Sequence, residues 1–459
     1  MNKEMNVGLA LIPIIGLITA ASLSVFLWEA GMHLPLMIGA ALAAIVAYIC
    51  GFNWEEIQQM MVRGVSRALP SIFILLIIGM IVGSWIASGV IPTIIYYGLS
   101  FIKPDIFIPL VALITGIVSI TLGSSFVSIA TVGIAFMAIG EGLGFSGGII
   151  AGAVISGAFF GDKLSPLSDT TNIAPAVAET DLFTHIRHML WDTIPAFLIA
   201  LILYGIISIN TSSSHTITID EITNIQAGLN KLFTIHPILL FVPVLTIILM
   251  IRKSPAIPTL IFIAFLGAIL AVLFQGQGVS TLMQTMTTGF SGTSGIDTVD
   301  TLLNAGGLMS MLSTIGLLII ATALGGILEE SGSFELLTKE IMAKIKSTGS
   351  LISATIFSTL GLAFTTGEQM ISIILPARSF VHKYKEMGID TKNLSRCVEA
   401  AGTVGINLVP WGVTAVYAQA MLGVNPLDFI PYAFFVILVP IINLIFGYTG
   451  WTITKKETQ

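Results

Sequence analysis

The sequence predicts an all-α polytopic membrane protein: two inverted-topology repeats with about ten transmembrane helices, two re-entrant hairpins and two broken helices. Three observations carry that prediction: the composition, an internal repeat, and the placement of the basic residues. Of 459 residues, 55% are hydrophobic and only 10% charged, and the mean hydropathy is +0.97. Such a chain cannot be soluble, and its apolar stretches suffice for about ten crossings at roughly 20 residues each. The net charge of -6 resides in short loops, and no basic patch with interleaved aromatics is present, so nucleic-acid binding is excluded. Cys50 and Cys397 lie in apolar contexts without CxxC spacing, which reads as buried packing rather than a metal site or disulfide. The first apolar stretch, 7–28, exceeds a signal-peptide core and lacks a convincing cleavage site, so it reads as the first span.

Long apolar stretches fall near 7–28, 34–51, 69–90, 105–138, 149–178 and 189–209, and again near 236–251, 255–275, 308–329, 349–381, 394–424 and 428–450. A Ser/Thr/Asn-rich segment at 210–232, read as a loop, separates the two sets of six. The domain reading is therefore a first repeat at 1–210, an extracytoplasmic linker at 211–234 and a second repeat at 235–459. An offset of 244 residues matches Thr115 with Thr359, Gly123 with Gly367, Ser128 with Ser372, Gly144 with Gly388, Gly161 with Gly405, Pro166 with Pro410 and Thr170 with Thr414. An offset of 243 matches Gly64 with Gly307, Gly83 with Gly326 and Ser88-Gly89 with Ser331-Gly332. Gly, Pro and Thr recurring in register over about 100 residues indicate duplication.

Basic residues orient the halves, because short cytoplasmic loops carry the Lys and Arg. They cluster at Arg63 and Arg67, Arg187, Arg252 and Lys253, Lys339 to Lys346, Arg378 to Arg396, and Lys455 and Lys456. The segment 349–381 has basic residues on both flanks, which a single crossing would place on opposite faces, so it reads as a re-entrant hairpin, as does 105–138. Sixteen of nineteen basic residues then face the cytoplasm, Lys103 and Lys231 lie outside, and Lys163 lies within the membrane. Each half has an odd number of crossings, so the second is inserted upside down, with both termini cytoplasmic. Its basic stretch 378–396 corresponds to 134–152, which has no Lys or Arg, as inversion requires.

Four interruptions fall at related places: the hairpin tips TLGSSFVS at 121–128 and TTGEQMIS at 365–372, and the broken helices at GDKLSPLSDTTN and GINLVPWGVT. Non-helical backbone at membrane depth survives only where protein or a water-filled cavity satisfies it. Freed carbonyls with hydroxyls and a carboxylate make an all-oxygen shell suited to a hard cation such as Na+. A charge at mid-bilayer costs roughly 2.5 to 3.5 kcal/mol even on lenient scales, so the run at 161–175 is a functional site by default. Pro166 removes a helical hydrogen bond near Asp162. Asp162, Ser165, Ser168, Asp169, Thr170, Thr171 and Asn172 then supply candidate oxygens, joined by Ser124 and Ser125 at the first tip, with Na+ placed at Asp162 and Asp169. Helix capping by Ser168 or Asp169 and an Asp162–Lys163 ion pair are the structural alternatives.

The second half offers Glu368 at its hairpin tip, Glu399, and Asn407 near Pro410. Glu399 sits among apolar residues and is the candidate carrier of an exchangeable proton, because a carboxyl deprived of water favours its neutral form until a cation displaces the proton. A salt bridge to Arg396 is its alternative, as pairing with Lys163 or Arg378 is for Glu368. Thr365 and Thr366 read as helix-break caps. His185 and His188 flank Arg187 in what reads as a solvated cytoplasmic loop, and Trp28, Trp54, Tyr96, Tyr97 and Trp451 as interfacial belts.

GAFFGDKLSPLSDTTNIAP at 157–175, followed by Asp181 and the stretch 185–191, resembles the signature of the NhaC family of bacterial sodium/proton antiporters. The resemblance extends over nearly the whole chain, including WEEI and GVSRALPS before the third span and NAGGLMSMLSTIGLLII at 304–320. It implies electrochemically driven exchange of Na+ for H+ across the bacterial inner membrane, without a cofactor. Relatives resembling malate/lactate antiporters couple proton and sodium movement to organic acids, so the motif alone does not set the substrate. Such an anion would use Lys163 and the hairpin-tip amides, though no intramembrane Arg is evident to help it. An intramembrane enzyme is not indicated: there is no GxSxG or HExxH, and the six histidines lie near loops or span ends. The lipid bilayer is the expected partner, and the sequence leaves the oligomeric state open, a homodimer included.

Overall fold

The computed structural model describes residues 5–455 except 29, 102–103, 167, 215–218, 253, 297–298 and 301–302. Lys3, Lys103, Lys253 and Lys456 of the charge reading lie outside the described residues. Among those described, the chain is helical, with one isolated β-bridge between Ile389 and Lys455. Six helices are long and apolar enough to cross a bilayer, and up to nine spans result if each bent pair is one span. The sequence reading had about ten; Val7–Ser22 and His33–Ile49 are apolar but shorter than the other spans. Helix Leu182–Ser214 exposes Leu198, Ile202, Ile206 and Ile209 on one face, and Ala256–Gln275 exposes Phe262, Ile269 and Leu273. Apolar surface this continuous is what lipid tails require. Trp28, Trp54 and Trp451 are exposed near helix ends, in keeping with interfacial anchoring.

Element boundaries repeat with the sequence offset. The hairpin arm Phe107–Leu122 ends at Gly123, and its counterpart Thr348–Thr366 ends at Gly367. Both glycines take the left-handed conformation, with φ of 68° and 64°, which reverses the chain without the cost an L side chain meets there. The return arms end at Gly142 and Glu386, before left-handed Gly144 and Gly388. Gly147–Leu164 corresponds to 391–408, and Asp169–Val177 to Val413–Leu422. The C-terminal ends of each pair are separated by 244 residues or within one of it.

The two long helices Trp54–Ala87 and Leu312–Glu330 cross at glycine, where backbones approach closely enough to replace side-chain packing. A Cβ on Gly64 would stand 2.1 Å from the Thr322 carbonyl oxygen and 3.1 Å from Gly326, while one on Gly83 would stand 3.4 Å from the Gly307 nitrogen. Gly64 aligns with Gly307, and Gly83 with Gly326, so each glycine touches the counterpart of the other. This reciprocity is the contact pattern of a two-fold axis.

Two sequence expectations are corrected. The segment 210–232 is not a loop: Leu182–Ser214 runs into it, and Ile219–Leu232 forms a further helix. Ile225 and Leu229 of that helix are buried, and Gln226 donates to the Tyr96 carbonyl at 3.1 Å. Its polar residues fill the other face of an amphipathic pattern, which a count of Ser, Thr and Asn conceals. The third span begins well before residue 69, at Trp54, because Asn53 and Glu56 form a reciprocal capping box with hydrogen bonds of 2.9 and 2.7 Å.

Candidate ion-binding site

Each half builds its part of the site in the same way. At the first hairpin tip Ser124 caps the return arm by accepting from the Val127 N–H at 3.4 Å, and at the second Glu368 accepts from the Ile371 N–H at 2.7 Å. The next residue in each tip reaches the broken helix of its own half. Ser125 Oγ donates to Asp162 Oδ2 at 2.8 Å, and Gln369 Nε2 donates to the Thr403 carbonyl at 3.3 Å. The hairpins thereby fix the side chains where the helices break.

In the first half, Gly147–Leu164 stops before Pro166 and a new helix starts at Asp169 with Ser168 as its cap, 3.5 Å from the Thr171 N–H. The carbonyls freed by this break are already taken: Thr171 Oγ1 donates to the Asp162 carbonyl at 3.1 Å, and Asn172 Nδ2 donates to the carbonyls of Pro166 and Ser168 at 2.9 and 2.6 Å. Ser165 is buried, its N–H bonded to the Asp162 carbonyl at 3.2 Å, and the Ser168 and Thr170 hydroxyls bond one another at 3.0 Å. Asp169 is exposed at the first turn of its helix, where its carboxylate accepts from the Thr170 N–H at 3.0 Å and suits the positive end of the helix dipole. Asn172 is also exposed.

In the second half, the helix entering the break contains a π-turn at Glu399–Val404, a local widening common at functional sites. It presents Glu399 towards Asp162, Lys163 and the hydroxyls of Thr403 and Thr170. Asn407 lies one turn further, its Nδ2 donating to the Val404 carbonyl at 3.0 Å. Among the described residues, Asp162 Oδ1, both Glu399 carboxylate oxygens, Asn407 Oδ1 and the Thr403 and Thr414 hydroxyls are buried without a hydrogen-bond partner. An orphaned buried polar atom costs about 1 to 3 kcal/mol. Orphaned carboxylate, amide and hydroxyl oxygens of this kind suit a hard monovalent cation or a proton.

The Na+/H+ antiporter family model matches residues 5–162 and 157–451. The chain belongs to that family. It is 39% identical to the Na(+)/H(+) antiporter NhaC of Alkalihalophilus pseudofirmus, over 100% of this chain and 99% of that one. It is 36% identical to the arginine/ornithine antiporter ArcD of Halobacterium salinarum, over 100% and 95% of the two chains. It is 35% identical to the malate-2H(+)/Na(+)-lactate antiporter of Bacillus subtilis, over 95% and 93%.

Of the residues the sequence singled out, this Na+/H+ antiporter family member brings Asp162, Ser125, Thr170 and Glu399 together. It leaves Glu368 and Ser124 as caps and sets Asp169 and Asn172 at the surface. Thr365 and Thr366 bond back to carbonyls of their own helix, at 3.0 Å to Gly361 and 2.8 Å to Leu362. Two pairings weighed from sequence do not form. Lys163 turns from Asp162 to Asp192, at 2.5 Å, since neighbours one apart on a helix point in different directions. Arg396 is fully buried rather than a cytoplasmic loop residue; it bonds Thr452 Oγ1 at 3.0 Å and lies over the Phe446 ring. The solvated-loop reading of His185 and His188 is likewise corrected. Both are buried, 2.8 Å from Ser395 Oγ and 3.2 Å from Asn393 Oδ1 respectively, because the helix at Leu182 begins before them and packs on Thr391–Val398.

Sequence reasoning passed over Thr403, Gln369, Asp192 and Asn443. Gln369 was findable, since the 244-residue offset pairs it with Ser125. Asp192 carried the general signal of a charge inside an apolar stretch. Beside the second broken helix a cavity of about 750 Å³ opens between 134–141, 288–314 and 419–423, lined by Glu141, Asn304, Thr314 and Gln419 among apolar residues. Glu141 is its one charged side chain among the described residues.

Proposed function

We propose that this chain exchanges Na+ for H+ across a bacterial inner membrane by alternating access, with Asp162 and Glu399 as the carboxylates over which the two ions compete. One observation carries the reading: two buried carboxylates, Asp162 and Glu399, lie close enough to feel each other's charge, and Asp162 Oδ1 and both Glu399 oxygens lack a well-formed hydrogen bond among the described residues. A proton neutralises one oxygen, whereas Na+ gathers several together with the Thr403 hydroxyl and its neighbours, so either occupant removes the cost that the other leaves behind. A tenfold gradient of one ion then supplies about 1.4 kcal/mol to move the other. The second ligand is placed at Glu399 rather than at Asp169, which is exposed.

The halves act as inverted repeats with cytoplasmic termini in this reading, supported by the matching helix ends and the reciprocal glycine contact. The protein needs no cofactor and is not an enzyme. Na+-dependent proton flux in inside-out vesicles tests the exchange: undiminished flux in Asp162→Asn and Glu399→Gln overturns the site. The same assay run with malate, lactate, arginine and ornithine tests the cargo, because two relatives are named for organic substrates. Lys163 is engaged by Asp192, whereas the buried Arg396 keeps Nε and Nη2 without a hydrogen-bond partner among the described residues, so the organic-anion reading is decided by that assay.

A further inference from the structure

The proposed cation site has a buried lysine one residue away in sequence, and its amine must be kept from occupying the site. Lys163 follows Asp162 directly, is completely buried, and faces Glu399 as well as Asp192. An ammonium in this position is a tethered competitor for any transported cation. Its Nζ instead bonds Asp192 Oδ2 at 2.5 Å. The same oxygen accepts from Asn443 Nδ2 at 2.6 Å, and Asp192 Oδ1 accepts from Thr193 Oγ1 at 3.2 Å. Asn443 is itself fixed, its Nδ2 also donating to the Val439 carbonyl at 3.0 Å. Asp192, Thr193 and Asn443 are all fully buried, on helices Leu182–Ser214 and Phe434–Thr449 that pack against one another and against Gly147–Leu164.

We propose that Asp192, braced by Asn443, is a positioning residue that holds the Lys163 ammonium away from Glu399 and so keeps that carboxylate of the cation site open to Na+. The inference rests on the site reading above but concerns residues outside it. Neutralising Asp192 leaves a buried ammonium without its partner, and Glu399 of the cation site is a remaining carboxylate whose charge it feels. The lysine then competes with Na+ from within. Removing the lysine as well abolishes the competition.

Na+ binding to purified protein, read as Na+-dependent thermal protection, and Na+-driven proton flux in proteoliposomes test this together. In Asp192→Asn the Na+ concentration for half-maximal protection and the KM for Na+ both rise at least tenfold. In Asp192→Asn with Lys163→Gln they return to within about threefold of wild type. Asn443→Ala, a gentler change for the case that Asp192→Asn does not fold, moves both in the same direction by a smaller factor. A purely structural role lowers the maximal rate or the melting temperature and leaves the Na+ midpoint unmoved; that result, or a double variant as weak as the single, overturns the proposal. Wild type that is protected by Na+ yet exchanges no protons overturns antiport while the midpoints still decide the role of Asp192. Wild type without Na+ protection overturns both.

Discussion

In the proposed exchange, Ser125, Asp162 and Glu399 carry the ion chemistry. The Ser125 hydroxyl satisfies one Asp162 oxygen and leaves the other open. Removing it in Ser125→Ala forfeits a hydrogen bond to a charged group, worth about 1.5 to 3 kcal/mol, so Na+ affinity measured by flux or binding falls by roughly 10- to 100-fold while the protein still folds. Glu399→Gln keeps the shape and removes the charge, and is expected to abolish Na+-dependent proton flux outright; flux above a tenth of wild type would point to another proton carrier. Asp162 and Glu399 were legible from sequence because ionisable groups in apolar surroundings are rare. Their neighbours were not: whether Lys163 pairs with Asp162 or with a carboxylate 29 residues away depends on which helix packs beside it, and no local pattern encodes that.

The hairpin is the element in which local chemistry says most. Gly123 and Gly367 permit reversals that other residues resist, and the capping residue that follows each restarts the helix. An alanine at either glycine costs about 1 to 2 kcal/mol. Thermal melting in detergent should show Gly123→Ala and Gly367→Ala lowered by similar amounts, with transport rates reduced in both; an effect confined to one hairpin would argue against equivalent roles. The tips were readable from Gly and hydroxyl residues interrupting apolar sequence. The fates of the freed carbonyls at the first break were not, since Thr171 and Asn172 take them only through the particular turn that the Ser168 cap imposes.

On the scale of the molecule, the two proposed repeats meet at the crossing of Trp54–Ala87 and Leu312–Glu330. There Gly326→Leu would drive a side chain into the Met60 carbonyl, from which even a Cβ would stand 2.3 Å away, so expression of folded protein should be lost; normal yield would show that the helices can separate. Inversion makes a second prediction. Glu141 and Lys385 are repeat-related, so cysteines placed there in a background lacking Cys50 and Cys397 should react with a membrane-impermeant maleimide from opposite faces of the membrane. Labelling from the same face would exclude opposed hairpins.

Hydropathy, the offset of 244 residues and the distribution of Lys and Arg determined the membrane class and the expected duplication and orientation, because each is a property of composition or order along the chain. Position in the fold decided the rest. Asp169 and Asp162 are the same residue type, seven positions apart, yet one faces outward from a helix N-terminus and the other is walled in by a hairpin. Arg396, His185 and His188 look like loop residues until the helices carrying them pack together and exclude solvent. Burial and partnership arise between segments far apart in sequence, and those are the quantities that turn a carboxylate into an ion site.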